Sequence, residues 1–197
     1  MIEHQHSLLP FYAGWDRYQQ RLVAAITLLT EEQLALRLTP QHWSIGMYVT
    51  HIVASRAWWF HARMGEKSVD LTSYELWALG VCEAGVDPCH SAAELVAGLE
   101  KTWQGIKQTL IRLTPADLEQ VIPPLGDAER VQHAELVEPA LQPYAQMWIE
   151  AARQAHIVRP SVSLQSVIWH VLEHDIHHGS EIFTTLGVHG LPVFELD

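Results

Sequence analysis

The sequence predicts an all-α protein, a four-helix bundle of up-and-down type with embellished connections. Four long segments carry apolar residues at three- and four-residue steps. Most of them open on a capping residue or close on a glycine. No segment shows the two-residue alternation of a half-buried strand.

The first long helix is expected from Pro10 to Leu29, with Phe11, Trp15, Tyr18, Leu22, Ile26 and Leu29 on one buried face. A short helix should follow from Thr30, because Thr30 and Gln33 have the spacing of a capping box. The second long helix is expected from Trp43 to Gly65, with Ser44 as N-cap and Gly65 as its stop. Ile45, Tyr48, Val49, Ile52, Val53 and Phe60 mark its apolar face. A looser stretch from Glu66 to His90 has room for another short helix over Leu71 to Leu79. The third long helix should start at Ser91, paired with Glu94 in a second capping box. Leu95, Leu99, Trp103, Ile106, Leu110 and Leu113 supply its stripe. Thr114-Pro115 places a cap before a proline at the first helical position. The prolines that follow make the chain irregular up to Pro160, with a helix expected from Pro143 to His156. The fourth long helix is expected from Ser163 to Leu186, ending at Gly187. Its buried face should comprise Leu164, Ile168, Val171, Leu172, Ile176, Gly179, Ile182, Phe183 and Leu186.

The chain is expected to form a single domain over residues 1–197. That length can bury a sizeable core, and 48% hydrophobic residues against 18% charged ones fit a globular chain. A formal net charge of -11 disfavours a nucleic-acid partner, since an acidic surface repels phosphates. No apolar run approaches the ~20 residues of a membrane-spanning helix, and the first residues lack the pattern of a signal peptide. Cys82 and Cys89 have neither redox nor zinc-ribbon spacing. A reducing cytoplasm is therefore the expected location.

Of 13 histidines, four crowd one segment: His170, His174, His177 and His178. His174 and His178 are four residues apart, so their side chains stack on one side of the last helix. Such a pair can hold a divalent ion when another helix supplies a third ligand. His51 is the best candidate, lying mid-helix beside Tyr48 and Ile52. Three neutral imidazoles would leave coordination positions open, as catalytic sites do. Spacing alone leaves a second reading open, in which these histidines form a solvated flank. His177 points outward, whereas His170 and Glu181 share the flank of the pair. Asp175 falls in the apolar face, where an unpaired carboxylate is costly. It should meet either the second nitrogen of a ligand histidine or a cation on a facing helix. Gly179 should let a facing helix approach closely. His61 and His133 read as ordinary surface, the tryptophans as core or pocket lining, and Glu31-Glu32 as a solvated helix start.

The segment Ile168-Trp169-His170-Val171-Leu172-Glu173-His174-Asp175-Ile176-His177-His178-Gly179 resembles the last helix of the DinB-like superfamily. Trp43-Ser44-Ile45-Gly46, followed by His51, resembles the start of that family's second helix. The resemblance implies a four-helix bundle that binds a divalent metal, often nickel or zinc, through His51, His174 and His178. Characterised members include mycothiol-dependent maleylpyruvate isomerase and bacillithiol S-transferases. It thus implies a metal-dependent transferase using a low-molecular-weight thiol on a small-molecule substrate. A metal-dependent hydrolase and a non-catalytic metal- or ligand-binding module stand beside it as alternatives. The family also suggests a homodimer. Gly179-Ser180-Glu181 stands where many relatives have Arg-Gly-Gln. The stretch from Glu119 to Pro160 looks longer than the compact family pattern, which suggests a lid or an extra contact surface.

Overall fold

In a computed structural model, the structure describes residues 7–75, 77, 90–123 and 161–193. Among them are six α-helices, four of them long: α1 (Ala13–Ile26), α3 (Ile45–Ala57), α5 (Ala92–Arg112) and α6 (Leu164–Val188). The short ones are α2 (Glu31–Leu34) and α4 (Thr72–Glu75). No described helix is long and apolar enough to cross a membrane.

The predicted caps set most of these boundaries. Thr30–Gln33 and Ser91–Glu94 both form complete capping boxes. The hydroxyls of Ser44 and Ser163 accept from the backbone N–H groups of Met47 and Ser166. Thr114 and Asp117 cap a single 3-10 turn, Pro115–Asp117.

Several sequence expectations are corrected. Pro10 lies in a 3-10 turn, Leu9–Tyr12, ahead of α1. That turn carries Phe11 out of phase with the α1 stripe and leaves it 75% exposed. The last helix runs past Gly187 and stops at Gly190, whose φ of +69° suits glycine. Ile176, expected inside, is 47% exposed because the buried arc of α6 is narrower and runs through Asp175 and Gly179. A two-residue ribbon, β1 (Val121–Ile122) against β2 (Val162–Ser163), is present where no strand was expected. It is too short for alternation to register, and it seats the N-terminus of α6. The helix expected from Pro143 to His156, most of the suggested lid over 119–160, and His133 lie outside the described residues.

The main packing pairs are α1 with α5, α5 with α3, α3 with α6, and α6 with α1. The helices therefore ring the core in the order α1, α5, α3, α6. The first and second long helices stand diagonal, as do the third and fourth. This differs from the expected up-and-down order, in which consecutive helices are neighbours. The connections over 27–44 and 113–163 are long enough to cross an end of the bundle.

α3 is the central element. Eleven of its 13 residues are buried, Ile45, Met47, Val49, Ile52, Val53 and Ala57 among them. A helix apolar around most of its circumference belongs inside. Each such Ile or Val contributes about 1.5–3 kcal/mol relative to exposure. The chain then continues as a π-helical segment, Trp58–Arg63, and turns at Gly65, whose φ is +70°. The wider π turn shifts the helical phase, so that Trp59, Phe60 and His61 are all buried. His61, expected at the surface, is 6% exposed and hydrogen-bonded to the buried Glu75 of α4. Glu66 then ties this end of the element to α5, accepting from Thr109 at 3.0 Å and Arg112 at 2.8 Å. Gly179 on α6 permits the approach of α1, since a Cβ there would overlap the Tyr18 hydroxyl.

Candidate metal centre

Because α3 and α6 are adjacent, His51 faces His174 and His178 although most of the chain separates them. One ligand atom from each of the three lies within 4.8 Å of the other two. His51 Nε2 and His174 Nε2 are 2.9 Å apart. The ring centroids are 4.8 Å apart for His51–His174, 5.0 Å for His51–His178 and 4.5 Å for His174–His178. All three are half-buried. The i, i+4 spacing on α6 and the mid-helix position on α3 thus meet in one place.

The electrostatics favour neutral rings. Burial, reinforced by His178, lowers the His51 pKa to about 4. Burial, then His51, His178, His170 and Arg56, lowers that of His174 to about 2. Burial also lowers His178, against the opposing carboxylate of Glu181. A neutral imidazole keeps a lone pair for a metal, whereas an imidazolium has none.

The donor set fits a divalent ion. Imidazole nitrogens held about 2.05 Å from one ion stand about 2.9 Å apart at a right angle and about 3.3 Å apart at a tetrahedral one. The His51–His174 separation falls in that range. The Nδ1 atoms of both rings are buried without a hydrogen-bond partner among the described residues. The two rings turn their Nε2 atoms towards each other, and an ion between them would take up both lone pairs.

The surroundings divide into three groups. Glu181 supports the third histidine: its Oε2 accepts from His178 Nδ1 at 2.7 Å, and its Oε1 accepts from the Tyr48 hydroxyl at 3.0 Å. Burial and Glu181 together raise Tyr48 to about 12, so it remains a donor. With Nδ1 engaged, His178 has Nε2 free to bind. Trp43 forms an aromatic wall, stacked on His178 at 6.0 Å and edge-on to His51 at 5.1 Å. His170 sits one turn before His174 at the exposed rim, 6.0 Å from it and 5.1 Å from Trp59 between ring centroids. His177 is 62% exposed, as the helical wheel predicts, although it approaches Glu181 to 3.8 Å.

Asp175 does not touch a ligand histidine. Of the two partners open to it in the sequence, the structure selects the cation on a facing helix: Arg56 of α3, at 2.8 Å. Both side chains are fully buried. Trp15 Nε1 donates to the same carboxylate at 2.7 Å. Arg56 escaped the sequence reading, as did the roles of Tyr48 and Trp43. A signal for Arg56 was present: it is the one charged residue between His51 and His61, in a run that is apolar apart from Ser55.

A solved structure of a DinB-like protein from Bacillus cereus ATCC 10987 shares the fold, with a TM-score of 0.62. The alignment covers 98% of this chain and 99% of that one, at 16% identity. No curated protein matches the chain in sequence. The sequence profile of the DinB superfamily matches residues 15–182, a span that takes in the three convergent histidines and Glu181. On that match, the chain belongs to the DinB superfamily.

Proposed function

We propose that this protein is a divalent-metal-dependent enzyme acting on a small molecule, with His51, His174 and His178 as the metal ligands. The observation that carries the reading is the convergence of three neutral imidazoles from two helices. Nickel or zinc is the proposed ion, since both suit imidazole ligands. Three protein ligands leave positions for an exogenous group, the pattern of catalytic rather than structural sites. An ion bound there supplies a Lewis acid that favours the thiolate of a low-molecular-weight thiol, and thiol S-transfer is the proposed reaction.

The chain's own residues prepare the site. Burial keeps His51 and His174 deprotonated at neutral pH. Glu181 fixes the ring orientation of His178 and the tautomer that presents Nε2, the role carboxylates commonly take behind metal-binding histidines. Tyr48 holds the other oxygen of Glu181 in turn. Trp43 shields one side of the cluster and leaves a flat apolar wall for a substrate. His170 lies at the rim on the same face of α6, beside Trp59 and one turn before His174.

Elemental analysis of wild type and His174→Ala tests the ligand set. Bound metal in the wild type and its loss in the variant are expected; equal content in both refutes the site. The nickel- or zinc-loaded protein is then incubated with mycothiol, bacillithiol or glutathione and an electrophile. Thiol consumption supports the transferase. Thiol-independent cleavage of esters or amides would move the reaction to hydrolysis at the same centre.

A further inference from the structure

The ion pair behind the histidines belongs to a larger arrangement. Arg56 Nε donates to both Asp175 oxygens, at 3.1 and 3.0 Å. Its Nη1 donates to Gln19 Oε1 at 2.7 Å and approaches the Leu99 carbonyl at 3.4 Å. Gln19 Nε2 donates to that same carbonyl at 3.1 Å, and Trp15 Nε1 completes the Asp175 carboxylate. Trp15 and Gln19 belong to α1, Arg56 to α3, Leu99 to α5 and Asp175 to α6. One buried polar tie therefore joins all four long helices.

We propose that Arg56 and Asp175 are positioning residues for the metal centre. Asp175 lies between His174 and His178 on α6, and Arg56 lies five residues after His51 on α3. The guanidinium has Nε across both Asp175 oxygens and Nη1 on Gln19 and the Leu99 carbonyl, so it accepts one angle and one height between the helices. A slide or roll of α6 along α3 breaks that fit before it breaks apolar contacts, which are not directional. The same slide would carry His174 and His178 away from His51. A buried ion pair is a poor source of stability, because desolvation offsets its attraction, whereas fixing register is its best-attested use. The burial of both charges at 0% exposure beside the histidines is thus explained by placement rather than by stability.

This inference rests on the metal reading above, and its test separates the two. Two variants are compared with the wild-type full chain: Arg56→Met/Asp175→Leu, and Arg56→Lys. The first replaces the pair by apolar side chains of similar size. The second keeps the charge but loses the fork. The readouts are cobalt(II) affinity, measured by competition with a chromophoric chelator, and the melting temperature of the metal-free protein. About a tenfold or greater loss of affinity is expected in both, the usual size of effect for groups that orient ligands. The melting temperature of the double variant should fall modestly, because losing the pair leaves Trp15 Nε1 and Gln19 Oε1 buried without those partners. Residues with a merely structural role would lower the melting temperature and leave the cobalt affinity of the folded protein unchanged. Wild-type affinity in both variants overturns the proposal. Should the double variant fail to fold, Arg56→Lys decides it alone, in the same terms. Should the wild type take up no cobalt(II), the metal reading falls. The tie is then judged by the nuclear Overhauser contact between the His51 and His174 rings. Its loss in the variants supports the tie, and its persistence overturns it.

Discussion

His51 and His174 are bases held neutral by burial, and that has a consequence for acid stability. The unfolded chain binds protons at these histidines below about pH 6.5. The folded chain does so only near pH 4 for His51 and pH 2 for His174. Between those values the unfolded state carries more protons, so stability falls as pH falls from 6.5. Each histidine contributes a slope of up to about 1.4 kcal/mol per pH unit. Glu66 works in a lower window. Burial alone would raise its pKa, but Arg112, Ser68 and Thr109 hold it down to about 2, so its contribution is lost as pH falls from about 4.5. Urea titrations of the metal-free protein at pH 7.5, 6 and 5 should show a steady loss of stability. His51→Gln/His174→Gln should flatten that slope. An unchanged slope would mean that the two rings are not held neutral by the fold.

At the scale of elements, the close contact of α1 with α6 rests on Gly179. Alanine is the better helix former by about 1 kcal/mol. Here the added methyl would collide with the Tyr18 hydroxyl, which itself reaches the backbone carbonyls of Asp175 and Ile176. Gly179→Ala should therefore destabilise by about 1–3 kcal/mol despite its propensity, and Tyr18→Phe in the same chain should recover part of the loss in thermal melts. The sequence was a good guide to most helix starts because their signals are local. The capping boxes at Thr30–Gln33 and Ser91–Glu94, the serine caps and the i, i+4 histidines each depend on a few neighbouring residues. The π turn after Ala57 was not legible. It answers to the packing of Trp59, Phe60 and His61 against distant partners, and Glu75, which buries His61, lies 14 residues away. Phe11 departs from the α1 stripe for a related reason: the 3-10 turn at Pro10 breaks the helical period there.

For the whole molecule, the ring order was the part least visible in the sequence, because it rests on contacts between helices far apart in the chain. That order makes α3 and α6 neighbours and gives the proposed ion a mechanical role, joining helices from opposite halves of the chain. A ligand that binds the folded state alone stabilises it by about 2.7 kcal/mol at a hundredfold excess over its Kd. Stripping the protein with a chelator should lower its melting temperature by several degrees, and nickel or zinc should restore it. His174→Ala should melt at the same temperature with and without the chelator. A wild type indifferent to the chelator would count against an ion at this site.

The tie through Arg56, Gln19 and the Leu99 carbonyl sets a limit on how small this site can be made. Every proposed ligand lies on α3 or α6, which invites a two-helix miniature carrying His51, His174 and His178. Such a peptide would contain the whole coordination sphere and none of α1 or α5. Asp175 would lose Trp15, and Arg56 would lose Gln19 and the Leu99 carbonyl. The charges would then be open to water, which competes for both, and nothing directional would hold the two helices at one height. The smallest portable unit of this centre is the entire bundle.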